Sequence, residues 1–151
     1  MINVKLVELN QRLKEIMSQS KVTDCKLFAT LAVGLSVGRS FPIPSQGIRI
    51  DLIQEAYNNI QISINEVLSN FNETILIDIA LANDIARAYW CTRYTLAHPD
   101  LEIMTIACGC GTYLEKQAGI TTYFSQEQQE LINQNSDQLI HAVNAITNAL
   151  R

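Results

Sequence analysis

The feature that most constrains this chain is residues 74–97, a helix-length segment with no consistent polar face. At about 100° per residue, Asp78, Asn83, Asp84, Arg87, Thr92 and Arg93 fall all around the cylinder. A surface helix confines its polar residues to one stripe, so this one is expected to run through the middle of a packed domain. Residues 101–114 are similarly apolar and are expected to lie near it. The expected fold is all-α: a single domain over 1–151, built of five or six helices around the central helix 75–97.

The chain has 151 residues, enough to bury a sizeable core without disulfides or metal as staples. Its 48% apolar and 17% charged content is that of a globule and excludes a disordered chain. A net charge of −4 and a pI near 5.1 argue against nucleic acid as partner, because phosphate contact needs clustered Lys and Arg. Charge is uneven: residues 1–40 hold six basic and three acidic side chains, the remainder five and twelve. No secretory signal is visible, and no segment offers about 20 uninterrupted apolar residues. The four cysteines lack the spacing of a small disulfide framework, so reduced thiols and a cytosolic location are expected.

The first expected helix covers 2–18, with Ile2, Leu6, Leu9, Leu13 and Ile16 on one face. Lys5, Arg12 and Lys14 lie opposite, which makes peripheral membrane binding a minor reading. A second helix, 24–38, is apolar nearly all round and should also be central. Pro42 and Pro44 forbid helix over 39–47, where Phe41 and Ile43 are expected to pin the loop to the body. The third helix, 48–70, is the cleanest amphipath: Ile53, Tyr57, Ile60, Ile64, Val67 or Leu68, and Phe71 recur at steps of three and four. Asn72, Glu73 and Thr74 break the chain before the central helix, and His98-Pro99-Asp100 breaks it again. A fifth helix is expected over 100–117. The last, 124–150, opens on a capping-box pattern of Ser125 and Gln128 and turns from polar to apolar along its length.

Candidate chemistry is sparse. Cys108 and Cys110, two apart on a helix, point about 200° from each other and cannot chelate one ion, and zinc would need two more ligands. The adjoining glycines, like Gly34 and Gly38, instead suit close helix approach. Asp137 and His141 form half of a metal pair, with no second half in sight, so no metal is expected. No phosphate-cradling loop, dinucleotide fingerprint or nucleophile signature is present, which disfavours an enzyme. Asp84 and Arg87, three apart, can pair along the central helix. With Trp90 and Tyr94 they either fill the core or line a small-molecule pocket.

Ala82-Asn83-Asp84-Ile85, followed by Tyr94 and Leu96, resembles the chromophore helix of the phycobiliproteins and their globin-like relatives. Asn144 to Ile146, with Ala149 and Leu150, is similar to their last helix. The resemblance implies a globin-like fold in which Asp84 bonds the pyrrole nitrogens of a bilin. The family's bilin-bearing Cys falls on Leu81, which excludes covalent attachment there. The match covers about 16 positions plus the tail. The chain is also shorter than that family between the third and fourth helices, and compressed after Gly119.

The leading expectation is a non-catalytic cytosolic protein that binds another protein or itself as a homo-oligomer. Its contact surface would be the stripe carrying Tyr57, Ile60, Ile64 and Phe71, together with the half-polar last helix. The alternative is a bilin-type carrier or sensor with a pocket at Asp84, Arg87, Trp90 and Tyr94.

Overall fold

The computed structural model describes residues 11, 14, 15, 18, 25–45, 49–69, 77–98 and 126–150. All regular structure among them is helical: α1 (Cys25–Ser40), α2 (Ile50–Ser69), α3 (Ile79–Ala97), α4 (Gln126–Gln134) and α5 (Ser136–Leu150). The described positions of the first expected helix, Gln11, Lys14, Glu15 and Ser18, are helical and exposed. The expected helix over 100–117, the Cys108–Cys110 pair, and the 72–74 break lie outside the described residues.

α1 and α3 are the central pair. In α1 every residue from Leu27 to Gly38 is buried, and in α3 the middle is buried on most sides, from Leu81 to Tyr94. Two glycines allow the contact between them. A Cβ on Gly34 would stand 2.7 Å from the Ile85 side chain and 2.8 Å from the Ala82 carbonyl oxygen. One on Gly38 would stand 2.6 Å from the Ala86 carbonyl oxygen. Backbone therefore lies against backbone, as the two glycines had suggested. The pairing keeps a constant offset of 48 residues: Thr30 with Asp78, Gly34 with Ala82, Gly38 with Ala86, and Pro42 with Trp90. A constant offset means that α1 and α3 run in the same direction. α2 returns between them in sequence and runs antiparallel to α3: Tyr57 meets Cys91, and one turn on, Gln61 meets Arg87 one turn back.

α3 starts at Ile79, not at 75, and Ile77 and Asp78 are non-helical. Asp78 is the cap. Its Oδ1 accepts from the Leu81 N–H at 3.0 Å, and its carbonyl accepts from Ala82 at 2.9 Å. A short carboxylate that satisfies an orphan donor favours a non-helical backbone at its own position. The Asp78 N–H in turn donates to Thr30 Oγ1 at 3.2 Å, while the Thr30 hydroxyl donates to Lys26 O. The start of α3 is thus tied to the middle of α1. At the other end, the His98 N–H still bonds Tyr94 O at 3.0 Å, and Pro99 follows in sequence.

α2 buries the expected stripe. Ile53, Ile60, Ile64 and Val67 are interior, with Tyr57 and Leu68 half-buried. The last helix is two helices, not one over 124–150, because Asn135 is a turn residue. Asn133, Asn135 and Ser136 are residue types whose side chains compete with the helical backbone, which weakens the helix there. α5 packs on α1 through Ala142, Val143 and Ile146, which join the same core as Phe28, Trp90 and Tyr94.

Candidate functional site

α3 carries all four candidate pocket residues. Trp90 and Tyr94, one turn apart, are both fully buried. Their rings belong to a continuous run of aromatic contacts. Tyr57 meets Trp90 edge-on at 6.4 Å, Trp90 meets Tyr94 at 5.2 Å, and Tyr94 meets the His98 ring at 4.7 Å. Such pairs add roughly 0.5–1.5 kcal/mol each beyond their buried area. Trp90 also donates its Nε1–H to Pro42 O at 3.4 Å. These two side chains are therefore interior packing in this fold.

Arg87 lies toward the α2 side. The Arg87 guanidinium stands 5.3 Å from the centroid of the Tyr57 ring, and its Nη2 donates to Gln61 Oε1 at 3.3 Å. Asp84 is half-buried, and desolvation pushes its carboxyl up to about 6. Attraction to Arg87 opposes the rise and repulsion from Asp78 adds to it. The expected Asp84–Arg87 pair thus reduces to a Coulombic attraction, while the guanidinium's hydrogen bond to Gln61 reaches across to α2. Two polar atoms in this turn are buried without a hydrogen-bond partner: Asn83 Oδ1 and Arg87 Nε. Each such group costs on the order of 1–3 kcal/mol, and native folds keep few of them. Asn83 and Arg87, four apart, share one side of α3.

Below them, the Tyr57 hydroxyl and the buried Cys91 thiol stand 2.7 Å apart. Cys91 and His98 are seven residues apart, which separates them by about 10 Å along the axis, so they do not form a nucleophile–base dyad. Among the described residues no group of three or more His, Cys, Asp and Glu is placed to hold a metal ion. His141 and Asp137 are both exposed on α5.

Part of the expected contact stripe lies in the chain's own core. Ile60 and Ile64 are 0% exposed, so this face of α2 is interior and not free surface. Amphipathic periodicity marks a buried face, but not whether the burial is within one chain or between two. Tyr57 is half-buried, and Phe71 lies outside the described residues. α2 carries two large exposed apolar side chains, Ile50 at its start, at 58%, and Ile62, at 55%, next in sequence to the Gln61 that bonds Arg87.

A second polar constellation links α3 to the end of α1. Arg93 Nη1 lies 3.0 Å from Gly38 O, 2.9 Å from Arg39 O and 2.9 Å from Phe41 O. A cation on carbonyls that a helix leaves without intrahelical partners is favoured by both hydrogen bonding and the helix dipole. The His98 Nε2 stands 2.8 Å from Pro44 O. The sequence marked Arg93 and His98 only as a polar residue and a helix end. Their partners lie 52 to 55 residues away, beyond the reach of any periodicity. Comparison with protein families, curated proteins and solved structures finds no match to this chain. No described helix is long and apolar enough to cross a membrane.

Proposed function

We propose that this chain is a single-domain, non-catalytic cytosolic protein that acts by self-association, with the α2–α3 seam at Gln61, Ile62, Asn83, Asp84 and Arg87 as the contact region. The observation that carries the reading is the apolar side chain of Ile62, 55% exposed on α2 and next in sequence to the Gln61 that bonds Arg87 of α3. An exposed apolar side chain rimmed by polar residues suits a protein contact, where a second surface covers it. The test is light scattering across a concentration series, with Ile62→Lys and Arg87→Ala beside the wild type. Self-association predicts that the wild type forms a dimer or higher oligomer, and that Ile62→Lys shifts it toward monomer with unchanged helical content. A wild type that stays monomeric throughout would overturn the proposal.

A second reading, a globin-like bilin carrier of five or six helices, draws on the same turn. Asp84 is half-buried with Arg87 beside it, the placement a tetrapyrrole's nitrogens and carboxylates call for. Against it stands the complete burial of Trp90 and Tyr94 in the chain's own core. Under this reading the purified protein absorbs visible light, and Asp84→Ala abolishes the absorbance with the fold intact. A colourless protein would contradict it.

A further inference from the structure

The segment between α1 and α2 has an unusual means of attachment. Residues 41–45 form no helix, and Pro42 and Pro44 have no N–H to offer. Among the described residues, no backbone-to-backbone hydrogen bond ties 41–45 to another segment. Its carbonyls are held instead by side chains of α3 and of His98 at its end. Arg93 takes Phe41 O, Trp90 takes Pro42 O, and His98 stands within bonding distance of Pro44 O. The apolar hold is modest, since Phe41 and Ile43 are only half-buried against the core and Pro42 is exposed.

Two of the hooks also touch the neighbouring helices, Arg93 through Gly38 O and Arg39 O of α1 and Trp90 through the Tyr57 ring of α2, but those contacts do not involve the segment. The α1–α3 crossing rests on Gly34 and Gly38 against Ala82, Ile85 and Ala86, and the α2–α3 contact on Tyr57 and Gln61. Releasing the segment therefore costs its few bonds and two partial burials, and leaves the rest of the core packed. Segments with few backbone bonds and little buried apolar surface are the ones that open below the global unfolding free energy.

We propose that residues 41–45 form a strap that opens as a unit while α1, α2 and α3 stay packed, with Arg93 as its catch. Arg93 is the catch because one guanidinium nitrogen grips both the last turn of α1 and the first residue of the strap. Opening bares the Trp90 indole N–H and the ring nitrogen of His98 on one side of α3, with Tyr94 between them. This goes beyond the self-association reading and stands independently of it.

Trp90 is the single tryptophan, so its indole N–H gives one unambiguous NMR signal that reports the strap directly. The experiment is hydrogen exchange of that indole against the slowest backbone amides of α3, with a denaturant series below the unfolding transition. The strap predicts an indole protection factor at least ten-fold below that of the slowest α3 amides, with a shallow denaturant dependence. Arg93→Ala should accelerate indole exchange by a further ten-fold or more while the slowest α3 amides change by less, and Arg93→Lys should restore part of the protection. The idea is overturned if the wild-type indole shares the protection and steep denaturant dependence of the α3 core. It is equally overturned if Arg93→Ala accelerates indole and core amides alike. Should Arg93→Ala fail to fold, the wild-type denaturant series decides alone.

Discussion

Gly38→Ala sets two effects of opposite sign against each other. In an exposed helix interior this change stabilises by about 1 kcal/mol, because alanine restricts the unfolded chain and favours the helix. Here the new Cβ would stand 2.6 Å from the Ala86 carbonyl oxygen and 3.1 Å from the Ala86 Cα. Ordinary contact begins near 3.4 Å, so α1 and α3 must separate by several tenths of an ångström at their closest point. That displacement loosens a core in which neighbouring side chains are fully buried, and overpacking of this kind costs about 1–3 kcal/mol, occasionally more. The obstructing atoms are backbone, so Ala86→Gly gives no relief. Steric cost should outweigh propensity, and Gly38→Ala should lower the urea-unfolding free energy by about 2 kcal/mol with the slope unchanged. A variant as stable as the wild type, or stabler, would refute the close crossing and with it the parallel α1–α3 register.

Three further substitutions probe separate contacts. Asp78→Ala removes the carboxylate that caps α3 at Leu81 and should cost about 1 kcal/mol in thermal or urea unfolding; an unchanged midpoint would mean that the helix is held elsewhere. Tyr57→Phe deletes the hydroxyl beside Cys91 but keeps the ring under Arg87, and should cost about 1 kcal/mol; Tyr57→Leu removes both and should cost more in the same assay. Asp84 binds its proton more tightly folded than unfolded, so its contribution favours folding at low pH and is lost as pH rises through about 6. Asp84→Asn should therefore gain about 1 kcal/mol over the wild type at pH 8, after allowance for solvent screening of a half-exposed group, and gain nothing at pH 4. A gain independent of pH would show that the carboxyl titrates normally.

Burial within a helix was legible in the chain; partners across it were not. The lack of a polar face in 27–37 and the three-four stripe of 53–68 identified α1 as central and the inner face of α2, because burial imprints a period on the residues themselves. The start of α3 was hidden because the apolar run continues through Ile75, Leu76 and Ile77, so Asp78 read as one scattered polar residue instead of a cap. The turn at Asn135 was similarly masked within a polar run. Asp84, Arg87, Trp90 and Tyr94 were found on one helix, but what Arg87 and Trp90 do depends on Gln61, Tyr57 and Pro42, which other segments bring to them. The same limit applied to α2, whose best-patterned isoleucines proved to be core, while Ile50 and Ile62 are exposed.

The central functional claim is that this chain works by associating with another copy of itself. Native mass spectrometry of the purified protein, with an ultraviolet–visible absorbance scan of the same sample, tests it most directly. Self-association predicts a colourless dimer or higher oligomer whose mass is a whole multiple of the 16.9 kDa chain. A monomer carrying a small co-purifying mass and visible absorbance would contradict it and transfer the role of Asp84 and Arg87 to a bound chromophore.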